Sequence, residues 1–99
     1  MKPVKRIEII VAASGLNDIL AALRDAGAAK FSVIHDVSGS GIHGYIQDDD
    51  MTGTYQRKLF VAAVAPDVAD QIARLAAPAL KRYGGVCIIT DALVLDGTA

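Results

Sequence analysis

The chain has 99 residues, 53% of them apolar, with ten basic residues against eleven acidic ones. A chain of this length makes one domain that buries roughly 60–70% of its unfolded surface. Near-balanced charge and only 5% aromatic residues exclude a nucleic-acid footprint and a base-stacking surface. The single cysteine, Cys87, excludes an internal disulfide and a Cys-rich metal site.

The first residues, Met1-Lys2-Pro3-Val4-Lys5-Arg6, are basic. The apolar run after them is interrupted by Glu8 and is too short to span a bilayer. A soluble, cytoplasmic chain without direct membrane insertion is expected.

Ile7 to Ala12 is rich in β-branched residues and reads as a strand. Ser14 is the expected N-cap of a helix in which Leu16, Ile19, Leu20 and Leu23 recur at helical spacing, and Gly27 supplies its stop. Phe31-Ser32-Val33-Ile34 reads as a second strand. A polar stretch without apolar period then runs from about residue 38 to 56. Leu59 to Val64 is the third strand. Pro66 and Asp67 open a second helix whose expected apolar face is Val68, Ile72, Leu75 and Ala79. Pro78 predicts a kink or a frayed last turn in that helix. Val86-Cys87-Ile88-Ile89 closes the pattern, with Ala92 to Leu95 as an apolar extension.

The two halves match at an offset of 52, since 59 − 7, 68 − 16, 72 − 20 and 75 − 23 agree. This is βαβ twice over in a single domain, residues 1–99. It predicts a ferredoxin-like α+β fold, a four-stranded antiparallel sheet with both helices on one face. Such a sheet should alternate apolar and polar residues, but Val61-Ala62-Ala63-Val64 leaves no polar face. Two readings cover the second side: further copies of the same chain in a cyclic oligomer, or the C-terminal segment folded back over the sheet.

Glycine-rich breaks fall at matching places in the two halves: Val37-Ser38-Gly39-Ser40-Gly41 and Arg82-Tyr83-Gly84-Gly85-Val86. Each offers backbone N–H groups with little side chain in the way, as a bound phosphate or carboxylate requires. The plain alternative for Gly39 and Gly41 is a sharp strand exit. Arg82 reads either as a helix-end charge favoured by the macrodipole or as a phosphate clamp.

The double βαβ, the long loop after the second strand, the Gly-x-Gly at Gly39 and Gly41 and the turn at Gly84-Gly85 together resemble the PII signal-transduction proteins, from Lys5 to about Leu95. The resemblance implies a homotrimer with an adenine nucleotide in each cleft between subunits. It further implies a ligand-responsive T-loop, about residues 38–56, that docks on a partner such as a membrane transporter. By this likeness the nucleotide-binding residues are Val37, Ser38, Gly39, Ser40 and Gly41, with Lys81, Arg82, Tyr83, Gly84, Gly85, Val86 and Cys87 in the second turn, the B-loop.

Departures from the nitrogen-regulating members narrow the expectation. His43 stands where they place a glutamine that helps hold magnesium and 2-oxoglutarate. Val86 replaces the lysine after their B-loop glycines, and Ala92 to Asp96 offers no basic residues for a terminal phosphate. So little positive charge favours ADP or AMP over ATP. The chain is more similar to the PII-like branch associated with bicarbonate transport and carboxysome genes, which implies bicarbonate as a further ligand. A nitrogen-regulatory protein acting on ammonium transport is the alternative within the family.

Other residues read more plainly. His35 is expected to be packed or hydrogen-bonded, His43 solvent-exposed, and Cys87 a small buried strand residue. Asp48-Asp49-Asp50 reads as a solvated turn, and the loop carrying it, with Tyr45 and Tyr55, as mobile until a ligand or partner orders it. No catalytic residues and no metal ligands are assigned, because no nucleophile–base motif or paired-histidine spacing occurs. The chain is expected not to be an enzyme. A small ferredoxin-like enzyme using His35 or His43 is the alternative from another class.

Overall fold

The computed structural model describes residues 1–38 and 56–97. Strand β1 (Lys2–Ala12) leads through a 3-10 turn (Ala13–Gly15) into helix α1 (Leu16–Asp25) and strand β2 (Ser32–Val37). Strand β3 (Arg57–Val64), helix α2 (Pro66–Tyr83) and strand β4 (Gly85–Val94) repeat the plan. The strands lie in the order β2-β3-β1-β4, and every neighbouring pair is antiparallel. This is the ferredoxin-like sheet that the duplicated pattern predicts.

Several boundaries move for physical reasons. β1 begins five residues before Ile7 because Lys2 to Arg6 find partners on β4, from Val94 to Thr90. Pro3 is tolerated there because β3 already ends opposite Lys5, so a single neighbour flanks it. Ala92 to Val94 continue β4 in the plane of the sheet, so this stretch does not fold back over the open face. Ser14 is not the N-cap: it lies inside the 3-10 turn, and Gly15 occupies the cap of α1 without a side-chain bond. Gly27 does end the first helix region, at φ 87°. α2 runs on five residues past the exposed Pro78 to Tyr83, and its last turn is closed rather than frayed. The Gly84 N–H donates to the Leu80 carbonyl at 2.9 Å.

Pairing assigns every strand residue to a face. Ile7, Ile9 and Val11 of β1 share the helix-covered face with Phe60, Ala62 and Val64 of β3. With Ile19, Leu23, Ile72, Ala69, Ala76 and Ala79 they form the core. Three alanines on α2 let its backbone lie close to the sheet. The true repeat offset is therefore 53, not 52: buried residues 7 and 60, 9 and 62, 19 and 72, and 23 and 76 correspond. Leu75, expected in the core, is 40% exposed, and Val68 is only half-buried. Apolar residues on both faces of the strands hid the slip, since a shift by one residue exchanges the faces.

The other face carries Ile10, Leu59, Val61, Ile34, Val86 and Ile88, with no helix over it. Ile34, Val86 and Ile88 are about half exposed, at 50%, 50% and 47%. Among the described residues no helix is long and apolar enough to cross a membrane.

Ile9 is fully buried, paired with Phe60 of β3 on one side and Cys87 of β4 on the other. Ile9→Ala is expected to destabilise the fold by about 2–5 kcal/mol in urea unfolding with an unchanged slope. A loss under about 1 kcal/mol would contradict this placement of the core.

Candidate functional site

One end of the sheet collects both glycine-bearing connections. Val37 pairs with Arg57, Arg57 with Ala12, and Val11 beside it with Gly85. The root of the long loop and the turn after α2 thus sit at the same end, on opposite edges. Three strand spacings separate them, roughly 14 Å. Backbone bonds tie this end together: the Ala13 N–H donates to the Gln56 carbonyl at 2.7 Å, and the Ala12 N–H to the Gly84 carbonyl at 3.4 Å.

The turn after α2 needs its two glycines for different reasons. Gly84 caps the helix at φ 81°, a left-handed backbone that favours glycine. Gly85 has ordinary space demands but no room: a Cβ there would collide with the Ile10 carbonyl oxygen and press on Leu80. Gly15 serves the same corner, since a Cβ would lie 2.9 Å from both Val11 Cγ2 and the Tyr83 ring. Close packing of the 3-10 turn on Tyr83 fixes where α2 ends.

Lys81 and Arg82 occupy the last turn of α2, where the helix dipole favours cations. Both are exposed, and the Arg82 guanidinium lies 5.2 Å from the centroid of the Tyr83 ring. Val86 and Cys87 point to opposite faces, Val86 to the open side and Cys87 towards Ile9. Cys87 lies on β4 as expected but is half-buried rather than buried, and that burial pushes its thiol above its ordinary range. Only its backbone can join the turn's amides.

On the other edge, Val37 is half-buried and Ser38 exposed. Gly39, Ser40, Gly41, His43, Tyr45, Asp48, Asp49, Asp50 and Tyr55 lie outside the described residues, as does nearly all of the expected mobile loop. His35 is exposed rather than packed, because β2 bulges between Ile34 and Val37 and is an edge strand. The bulge puts Asp36 at φ 63°. Its carboxylate lies 3.7 Å from Lys58 Nζ, whose side chain is only 13% exposed. Sequence reading missed this sheltered cation at the loop root. Its signal was a lysine at a helix-face position of β3, opposite Val11.

A double βαβ sheet with a long loop and a glycine turn at one end defines the class: a ferredoxin-like domain of the PII type. The family model for Nitrogen regulatory protein P-II matches residues 4–98, and the chain belongs to that family of regulatory signalling proteins. No curated protein matches the chain. Among solved structures it is similar to CPII, a nitrogen regulatory PII-like protein from Thiomonas intermedia K12. CPII bound to ADP, AMP and bicarbonate superposes with a TM-score of 0.84 at 22% identity, covering 93% of this chain and 88% of that one. CPII bound to ADP and bicarbonate gives 0.80 at 23% identity, with coverage of 93% and 88%. Its apo form gives 0.74 at 22%, with coverage of 93% and 91%.

Two outcomes test this geometry. Gly85→Ala is expected to lower unfolding stability by about 1–3 kcal/mol, since β1 backbone rather than a side-chain tip must move. A neutral substitution would show that the approach is looser. The raised Cys87 pKa leaves less thiolate, so at pH 8 the folded protein should react with Ellman's reagent more slowly than the urea-unfolded chain. Equal rates would contradict the burial.

Proposed function

We propose that this chain is a homotrimeric, non-enzymatic sensor in the cytoplasm that binds an adenine nucleotide, ADP or AMP in preference to ATP, in the clefts between subunits. The nucleotide meets backbone amides at Gly39 to Gly41 and at Gly84 to Val86, with Arg82 as the leading cationic contact. Bicarbonate is the further ligand. The T-loop, about residues 38–56, passes the bound state to a partner, an inorganic-carbon transporter.

The observation that carries this reading is the gathering of the long-loop root and the 82–86 turn at one end of the sheet, beside an uncovered apolar face. An extended nucleotide covers the span between them. The open face supplies the reason for a cleft: a second protomer laid over it would wall the same end. CPII, bound to ADP, AMP and bicarbonate, lends the ligand classes. Lys81 and Arg82 are the cations of the turn itself, a modest charge that suits two phosphates or one better than three. Ligand binding biases the loop only by as much as it contacts one loop arrangement better than another.

Calorimetric titration with AMP, ADP and ATP, with and without bicarbonate, tests the reading. Saturable binding is expected, tighter for ADP and AMP than for ATP. Arg82→Ala should weaken ADP by roughly tenfold, the loss of one charge-assisted phosphate contact. No binding of any nucleotide would remove the sensor reading. ATP-dependent binding of 2-oxoglutarate would replace the carbon reading by the nitrogen-regulatory one.

A further inference from the structure

The open face of the sheet is largely apolar, with a charged pair near its middle. There Arg6 and Glu8, two residues apart on β1 and so on the same side, form an ion pair of 2.7 Å between Nη2 and Oε1. Arg6 lies between Ala63 and Thr90, and Glu8 between Val61 and Ile88, so no other charged side chain is their direct cross-strand neighbour. Lys2 and Arg57, also on this face by register, stand at its two ends. A hollow of about 820 Å³ lies towards the Lys2 end, bordered by Arg6 but not Glu8, and walled by Val4, Phe31, Val61 and Ala63.

We propose that Arg6 and Glu8 are the specificity determinants of self-assembly, each meeting the opposite charge of the pair on a neighbouring copy of this same chain. This rests on the oligomer proposed above and adds which copies are accepted. Half-exposed Ile34, Val86 and Ile88 make contact with another apolar surface favourable but do not choose it. The ion pair does choose. A guanidinium has five donors and a carboxylate about four acceptor sites, so a single contact within the chain leaves most of both unsatisfied once water is expelled. Burying such a pair costs free energy unless those sites are met. A second copy presents a carboxylate where Arg6 needs one and a guanidinium where Glu8 needs one. A related surface that is apolar at both positions meets neither and is rejected.

The test uses the full chain and the charge-swapped variant R6E/E8R, which keeps an ion pair within the chain but inverts its direction. Wild type and variant, differently tagged, are mixed after each is shown folded by circular dichroism, then unfolded, refolded together and counted by native mass spectrometry. Each is expected to assemble with itself, while under roughly a tenth of assemblies are mixed. Random mixing of three equivalent positions gives about three quarters. The single change Arg6→Glu should weaken assembly at least about tenfold, and Arg6→Glu with Glu8→Arg should restore it. Statistical mixing, or an Arg6→Glu chain that assembles like wild type, would overturn the proposal while leaving the oligomer intact. A wild-type chain that stays single at micromolar concentration would remove both.

Discussion

Two helices cover one side of a four-stranded sheet, and this sheet is largely apolar on both sides. That imbalance governs the rest of the structure. β1 places Ile7, Ile9 and Val11 under the helices, yet also sends Ile10 the other way, beside Leu59 and Val86. A monomer solves this poorly. Completing the burial of Ile34, Val86 and Ile88, each about half exposed, is worth on the order of 1 kcal/mol per side chain. Those gains, summed with their neighbours, favour a partner surface over water. The β4 extension past Thr90 does not relieve the need, since it lengthens the sheet instead of covering it.

The same packing explains why the candidate site sits where it does. α2 can lie close to the sheet because Ala69, Ala76 and Ala79 face it, and its end is pinned by Tyr83 against Gly15. The chain must then reverse into β4 within a residue or two. Gly84 supplies the left-handed backbone and Gly85 the close passage by β1. Both glycines are therefore demanded by the fold. Their value as ligand evidence comes from position, at the end of the sheet where the long loop also departs. Arg82 and Lys81 at a helix C-terminus, and Lys58 at the loop root, give that end its positive charge.

Most of the architecture was legible because it was written twice. Strand, helix and strand recur, Gly27 stops the first helix and Pro66 opens α2 as the sequence predicts. The repeat was nonetheless placed one residue out. Leu59 and Val64 are both apolar, yet only Val64 faces the helices, and nothing in hydrophobicity alone separates them. Helical spacing with Val68 and Ile72 puts Leu75 on the core face, whereas the close approach of α2 selects alanines instead. Ser14 looks like a cap by residue type, but the 3-10 turn delays the helix past it. His35 follows the bulge, which depends on how β2 meets β3 and leaves no trace in periodicity. The loop root at Val37 and the 82–86 turn were found from glycines. The Asp36–Lys58 contact was not, because it joins two strands across a segment of unrelated sequence.

A charged pair on a surface otherwise suited to hiding from water looks like a defect if stability is the only criterion. Replacing such a pair with apolar residues is often neutral or stabilising, so its presence argues for a second requirement. Under the proposed reading that requirement is selectivity. A protein whose ligand clefts lie at the seams between protomers needs every seam to be formed by the right neighbour, since a foreign subunit would bring a different wall to the cleft. Apolar contact supplies the adhesion and is indifferent to the partner. The Arg6–Glu8 pair subtracts some of that adhesion and returns it only to a copy carrying the complementary charges. Specific assembly and a well-formed cleft then become one condition, set by the face the helices leave open.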